Sequence, residues 1–401
     1  MMFSPTRAAG LSRLTEFIPK AGREYSQLRN SDMGVGQHNY VSRLSPCLRH
    51  RLITEREVVD AAIQAYGPAQ CEKFIQEVFW RTYFKGRLEH QPHIWKQYQD
   101  GVEASLKPLT KDKALRASYE DALSGQTGIA CFDHWRGELI GTGYLHNHAR
   151  MWFASIWIFT LKLPWELGAD FFIRHLIDGD PASNTLSWRW VAGLHTKGKI
   201  YLARPDNIKR FTNGRFNPQG QLAEHAEPLI EPDDLMTEQN LPQTDQIPDR
   251  PFLLLVHEDD CHPENLLPAG AAPKGVIGGV ATSRRSPLAV DEKITAFARG
   301  AVKDALDRFD SNTPPMEQDW TAPLIKACEH HGVKNIVTAY TPVGPSAEAL
   351  KTAAIGLNKA DITVSQIIRP WDSIIWPYAN RGFFKVKKKM PKILEALEQT
   401  S

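Results

Sequence analysis

The sequence predicts an all-α domain followed by a parallel α/β domain. Three observations carry this. Helical patterns follow one another without strand alternation up to about residue 235, an acidic, Pro-rich stretch without period comes next, and beyond it short apolar runs alternate with helical segments. A chain of 401 residues accommodates two such domains at roughly 100–200 residues each. The texture places the helical part at 1–235, a linker at 236–250 and the α/β part at 251–401.

In the first part, Thr54 and Glu57 form a T-x-x-E capping box that opens the helix TEREVVDAAIQAYG, and Gly67 stops it. Further helices are expected over Cys71–Phe84, Cys131–Gly141, His146–Leu163 and Glu166–Leu176. Between about 226 and 251 the chain reads as a linker or surface meander. In the second part, Phe252–Val256, Gly275–Ala281, Asn335–Tyr340 and Ile362–Ile368 are short apolar runs of the kind that become buried parallel strands. Ile294, Phe297, Ala298, Ala301, Val302, Leu306 and Phe309 recur at helical spacing between them, followed by Leu324–His331 and Ala347–Leu357. Such alternation builds a Rossmann-like parallel sheet with helices on both faces. Gly278-Gly279 lacks any phosphate-loop pattern around it, and the lysine run of GFFKVKKKMPKIL reads as a solvated helix face.

Composition bounds the function. Hydrophobic residues at 42% and charged residues at 23% are ordinary for a globular chain and exclude disordered, collagen-like and polytopic membrane classes. The net charge of +2 supplies no global basic field, so nucleic-acid binding would need a local patch. Cys47, Cys71, Cys131, Cys261 and Cys328 are widely spaced without a CxxC, as expected of reduced cytoplasmic thiols and not of a zinc or iron–sulfur site. The N-terminus has no apolar core of a secretory signal, and the longest apolar stretch, Met151–Leu161, is too short to span a bilayer. Tryptophan is abundant: of 11, eight fall between Trp80 and Trp190. Core filling accounts for any single one, and the cluster stays open on composition alone.

The residues with most chemistry lie in the same stretch. Asp178, Asp180 and Asn184 share the Gly-containing turn DGDPASN. They can present several hydrogen-bonding groups to one planar ligand or satisfy their own backbone, and spacing leaves both open. No third carboxylate follows at EF-hand spacing, and His146 and His148 face different ways on a helix, so no metal site is expected.

Longer motifs run through this region. Thr127-Gly128, Asp133, Leu139, Thr142-Gly143, His146-Asn147 and Arg150-Met151 keep the spacing TG…D…L..TGxxHNxxRM. Trp165, Gly168, Phe172, Leu176, Asp178-Gly179-Asp180, Ala182, Asn184, Trp188 and Trp190 match WxxGxxxF…LxDGDxAxNxxxWxW. SRLSPCLR (Ser42–Arg49), EVFWR (Glu77–Arg81) and Tyr25 before an RN pair complete the set. Over about 200 residues the chain thereby resembles the FAD-binding domain of the DNA photolyase/cryptochrome family, in its cyclobutane-dimer form.

The resemblance implies a U-shaped FAD in the helical domain beneath a cavity for a flipped-out pyrimidine dimer. Tyr25, Ser42, Leu44 and Ser45 would hold the FAD phosphates. Asp178, Gly179 and Asp180 would contact the flavin, Arg150 would pair with Asp178, and Asn184 would face flavin N5. Trp80 and Trp190 would stack on the dimer, flat rings gripping bases of any identity. Glu77 and Asn147 would hydrogen-bond it, with Met151 packed below and Arg81 on the same substrate wall. Trp188 and Trp165 would be the proximal and middle members of a photoreduction chain. The distal Trp expected near Asp112 is absent, leaving Trp95, Trp152, Trp157 or Tyr119 as substitutes.

The implied activity is a light-driven, deoxyribodipyrimidine photolyase-like carbon–carbon lyase acting on UV-damaged DNA as a cytoplasmic monomer without membrane contact. The alternative is a cryptochrome-like photoreceptor that binds FAD without repair. His146-Asn147 in place of two adjacent histidines points to cyclobutane lesions over (6-4) lesions. Three departures stand out. Val41 replaces a usual Thr and Arg51 lies close to a usual Gly. LARPDNIKRFTNGRFNP differs from the family's run after Trp190. The α/β domain, which precedes the helical one in the family, follows it here. FLLLVHEDDCHPENLLP resembles that domain's first strand and WPYANRGFFKVKKKMP its end, so a circular permutation is expected. A second antenna chromophore, folate or deazaflavin, stays open.

Overall fold

The computed structural model describes residues 3–231, 238–268 and 270–399. Met1 and Met2, the expected helical-part boundary at 235 and the first two linker positions lie outside the described residues. Among the described residues the chain begins with twelve α-helices: α1 (Arg7–Phe17), α2 (Arg23–Leu28), α3 (Ser45–Arg49), α4 (Glu55–Gln70), α5 (Glu72–His90), α6 (His93–Leu106), α7 (Lys113–Ser124), α8 (Ala130–Thr142), α9 (Asn147–Ser155), α10 (Trp165–His175), α11 (Pro181–Ala192) and α12 (Pro205–Phe211). There follow β1 (Leu253–His257), β2 (Gly275–Gly279), α13 (Glu292–Asp307), α14 (Thr321–His331), β3 (Asn335–Ala339), α15 (Pro345–Lys359), β4 (Thr363–Ile367), α16 (Pro370–Ile375) and α17 (Phe384–Glu398).

Local chemistry explains the boundaries that matter for the site. At α4 the capping box forms: the Glu57 amide donates to Thr54 Oγ1 (3.2 Å), and the Thr54 amide donates to Glu57 Oε2 (2.8 Å). Gly67 breaks the helix at φ 71°, as its sequence position predicts. The apolar stretch after His146 forms α9 and then a π-turn over Ile156–Thr160, an irregularity that periodicity does not reveal. No helix among the described residues is long and apolar enough to cross a membrane.

The four strands pair in parallel, in the order β2-β1-β3-β4. Alternate residues of β1 serve two cores, as the twofold period of a strand requires. Leu253 and Leu255 pack with Trp320, Leu324 and Leu350 of the α14–α15 side. Leu254 and Val256 pack with Phe297 and Ala301 of α13, in a core that continues into α1, α4 and α5 of the helical part. The Gly278-Gly279 pair is explained by this packing. A Cβ on Gly278 would lie 2.6 Å from Val302 Cγ1, and one on Gly279 2.7 Å from the Trp320 ring. Residues 244–245 border the edge strand: the Asp245 amide donates to Gln366 O (3.0 Å), and the Ile368 amide donates to Thr244 Oγ1 (3.1 Å).

A buried ionic network joins the helical part to the sheet. Arg51 donates to both oxygens of Asp372 (2.8 and 2.7 Å) and to Glu55 (3.2 Å), and Arg369 donates to both oxygens of Asp260 (2.6 and 2.7 Å). Arg49 bonds Asp259 and also donates Nε–H to the Gly179 carbonyl (3.1 Å). Arg51 has φ 45°, a left-handed conformation that favours glycine. The departure at this position therefore has a physical reason: the carboxylates around the guanidinium offset a strain of about 1–3 kcal/mol.

Candidate functional site

The helical part encloses a cavity of about 370 Å³. Its walls come from Tyr25 on α2, the turn 41–45 leading into α3, the middle of α5, the inner face of α9, the C-terminal half of α10 and one face of α11 along its length. Helical spacing dictates which side chains arrive. On α9, Asn147, Met151 and Ala154 follow at steps of four and three and line one stripe. On α11, Asn184, Ser187, Trp188 and Val191 do the same.

The residues that the resemblance assigns to cofactor or substrate all line this cavity: Tyr25, Ser42, Leu44, Ser45, Glu77, Trp80, Arg81, Asn147, Arg150, Met151, Asp178, Gly179, Asp180, Asn184 and Trp190. So does Trp188 of the photoreduction chain, whereas Trp165 and the distal candidates Trp95, Trp152, Trp157 and Tyr119 do not. Trp165 is buried at the start of α10, its ring 6.0 Å from Tyr98 and beneath the Arg189 guanidinium. Several lining residues escaped sequence reasoning. Arg29 and Asn30 are the RN pair after Tyr25 and could have been carried along with it. Arg43, Tyr144 and His148 offered no comparable signal.

The polar groups are ordered from outside the cavity. Arg150 Nη2 donates to Asp178 Oδ2 (2.9 Å). Burial alone would raise the Asp178 carboxyl, but Arg150, with Ser45 and Arg81 adding to it, holds the group below the usual range. Asp180 caps α11 by accepting the Ser183 amide (2.7 Å). Burial would raise it too, and the cations Lys85, Arg49 and Arg81 reverse the direction. Asn184 Nδ2 donates to the Ala169 carbonyl (2.8 Å), which leaves its Oδ1 as the acceptor available to a ligand. Arg29 donates to Glu77 (3.0 Å), yet burial prevails and raises the Glu77 pKa. Gly168 is required where it stands, because a Cβ there would lie 2.3 Å from the Trp188 ring.

Six buried polar atoms of the lining have no protein partner: Asp178 Oδ1, Ser183 Oγ, Trp188 Nε1, Arg29 Nε, and Nε and Nη2 of Arg81. Orphaned groups of this kind call for a ligand or water. A cavity offering a carboxylate acceptor, a guanidinium, a side-chain amide and an apolar floor fits a large planar group carrying phosphates. Arg81 also contributes to holding the Asp178 and Asp180 carboxyls below their usual range. The described residues also bring together one group with metal-ligand chemistry, Asp32, His38 and Glu138. His38 Nε2 meets Glu138 (2.6 Å), and Asp32 accepts from Trp135 (2.9 Å) and Gly34 (3.0 Å), while His38 Nδ1 and Glu138 Oε2 have no hydrogen-bond partner.

The tryptophans divide by surroundings. Trp135, Trp152 and Trp157 are wholly buried in the helical core, and Trp95 is nearly so. Trp188 meets Trp157 at 6.3 Å, and Trp157 meets Tyr119 at 6.1 Å. Asp112, where the distal Trp was expected, is the N-cap of α7.

Comparison with known proteins agrees with the cavity. Residues 74–227 match the family described as the FAD binding domain of DNA photolyase. The deoxyribodipyrimidine photo-lyase of a Synechococcus species is 32% identical over 198 residues, 47% of this chain and 39% of that protein. That of Thermus thermophilus is 33% identical over 218 residues, 54% and 49% of the two chains. A cryptochrome DASH of Gloeobacter violaceus is 27% identical over 238 residues, 57% and 45%. Among solved structures, a bacterial class III photolyase from Agrobacterium tumefaciens is 26% identical and covers 52% of this chain and 43% of that one, with a TM-score of 0.44. The match spans about half or less of the curated relatives' own length.

Proposed function

We propose that this chain, whose residues 74–227 carry an FAD-binding domain of the DNA photolyase kind, repairs cyclobutane pyrimidine dimers in DNA under blue or near-UV light. The observation that carries the proposal is the presence of Glu77, Trp80, Asn147, Met151, Asn184 and Trp190 on one cavity. Bound in its reduced form, FAD would lend an electron under light to open the cyclobutane ring and recover it once the two pyrimidines have separated. The protein's own part is to bind, orient and exclude water. Ser42 and Ser45, with the start of α3, suit the phosphates. Asp178, held by Arg150, and the Gly179-Asp180 backbone fix the planar ring, with Asn184 Oδ1 as acceptor. Trp80 and Trp190 grip the dimer by stacking, at about 1–3 kcal/mol per base. Glu77, oriented by Arg29, can hydrogen-bond the edge of a base. Arg81, assigned to the substrate wall from sequence, lines the same cavity with two buried nitrogens free for a ligand.

Residues 251–401 would then be the family's antenna-type domain in a permuted position, with 236–250 as linker, and a folate or deazaflavin would be its chromophore if it holds one. The other reading, an FAD photoreceptor without repair, is favoured by one observation: the place of the distal Trp is filled by Asp112. In that case Trp165 and Trp188, or the Trp188–Trp157–Tyr119 series, would serve photoreduction alone.

Illumination of the reduced, FAD-loaded protein with a thymine-dimer oligonucleotide separates the two. Loss of dimers in light and none in darkness is expected. Intact dimers despite bound reduced FAD would sink the repair reading. A parallel arm with a (6-4) lesion should show no repair.

A further inference from the structure

The lysine run near the C-terminus is a sequence feature that the cavity does not absorb, and the structure brings its start to the cavity wall. The Phe383 ring stacks on Trp80, with centroids 3.9 Å apart and planes 14° from parallel. Trp80 and Phe84 both line the cavity. The next residue begins α17, whose Val386, Met390, Ile393 and Leu397 are buried in the core shared with α4 and α5. Lys387 approaches Glu72 at the start of α5 (3.7 Å). Together these contacts lay α17 along α5, leading away from the cavity.

The other face of α17 is left to solvent. It carries Phe384, 74% exposed, and then Lys388 and Lys392 at successive steps of four, flanked by Lys389. From Arg381 to Lys392 the chain has cations and no carboxylate. Among the described residues no ion pair engages Lys388, Lys389 or Lys392. Keeping a phenylalanine ring in water beside unpaired lysines brings no gain to folding. A net charge of +2 means that DNA must be attracted by a local patch.

We infer that α17 is the DNA rest beside the cavity, its lysines taking phosphates next to the lesion while Phe384 wedges into the stack that the dimer leaves. The inference rests on the repair reading above. Eight residues of helix reach about 12 Å, enough for about three phosphates of one strand at ~3.4 Å of rise each. Apolar wedges are a known physical solution to an unstacked base step. A single strand has no duplex stack to open, so the wedge matters only in duplex.

The test is a binding titration of FAD-loaded protein over a salt series. The probes are a thymine-dimer duplex, the same duplex undamaged, and a single-stranded dimer oligonucleotide. In Lys388→Gln/Lys389→Gln/Lys392→Gln, the slope of log K against log salt should shrink by about two to three on both duplexes. Phe384→Ala should weaken binding to the damaged duplex about tenfold and leave the single strand unchanged. Flavin absorbance should match wild type in both variants. A wild-type salt slope in the triple variant overturns the phosphate contacts. Equal effects of Phe384→Ala on single strand and duplex, or no effect on either, overturn the wedge. If wild type shows no preference for the dimer while the triple variant still loses slope, the surface stands and the repair reading falls.

Discussion

Around the cavity, Asp178 Oδ1, Ser183 Oγ and two nitrogens of Arg81 are buried without a protein partner. At the seam between the helical part and the sheet, Arg49, Arg51 and Arg369 each reach a buried carboxylate. Both places are polar and both are hidden from water. The seam arginines meet carboxylates, with single oxygens of Glu55 and Glu258 left over, whereas the orphaned groups of the lining border a cavity with room for a ligand. Where the protein supplies both members of a pair, the group holds the architecture. Where it supplies one, the other is expected from a ligand. Arg49 touches both settings, bonding Asp259 on one side and the Gly179 carbonyl on the other. The seam therefore positions the turn that the cofactor would meet.

The sharpest way to break this comparison is Asp260→Ala. Burial would raise the Asp260 carboxyl, and Arg369 and Arg51 hold it far below the ordinary range instead. Removing it strands Arg369 and shortens the set around Arg51, at a cost of about 3–5 kcal/mol for a broken buried pair. Chemical denaturation should show that loss, with FAD per folded molecule unchanged. Lost FAD with unchanged stability would mean that the seam serves the ligand.

Asp178→Asn probes the opposite setting. Arg150 is partly exposed and can turn to solvent, so the stability cost should be small. A charged hydrogen bond to the cofactor is worth about 1.5–3 kcal/mol, so FAD affinity, measured by equilibrium dialysis, should fall about ten- to a hundredfold. An unfolded variant, or one that retains FAD at wild-type affinity, would remove Asp178 from the ligand side of the comparison.

The two settings were unequally legible in the sequence. Cavity residues sit in dense local motifs such as DGDPASN and HNHARM, where helical spacing alone brings Asn147 to Met151 and Asn184 to Trp188. The seam is made of residues far apart in the chain, Arg51 with Asp372 and Arg49 with Asp259. Nothing in the spacing of HEDDC announces that its acids meet arginines about two hundred positions earlier. The strands were visible as apolar runs because β1 is buried on both faces. The π-turn after α9 and the left-handed Arg51 were not, since each is fixed by tertiary packing that overrides local preference. Trp165, expected behind Trp188 as a middle member of a chain, lies outside the cavity lining and packs against Tyr98.

One member of the seam is satisfied without a cation, and pH can single it out. Glu89 accepts from the Val343 amide (2.8 Å) and the Tyr340 hydroxyl (2.8 Å). Burial pushes its pKa up from 4.5 to about 7. The folded state then holds a proton that the unfolded state has released, so Glu89 removes stability as pH rises from about 4.5 to about 7 and takes no more above that. Buried histidines act in the other direction. His50, lowered to about 3 by burial and Arg49, stays neutral while its unfolded counterpart gains a proton below about 6.5. The total profile mixes these slopes, so the informative quantity is the difference between wild type and Glu89→Gln. The amide keeps an acceptor for Val343 and a donor for the Tyr340 oxygen. The variant should match wild type near pH 4.5 and become the more stable of the two by pH 7, by on the order of a few kcal/mol. Denaturation midpoints across that range check it. A constant difference with pH would mean that Glu89 is ionised in the fold and belongs with the charge-paired residues of the seam.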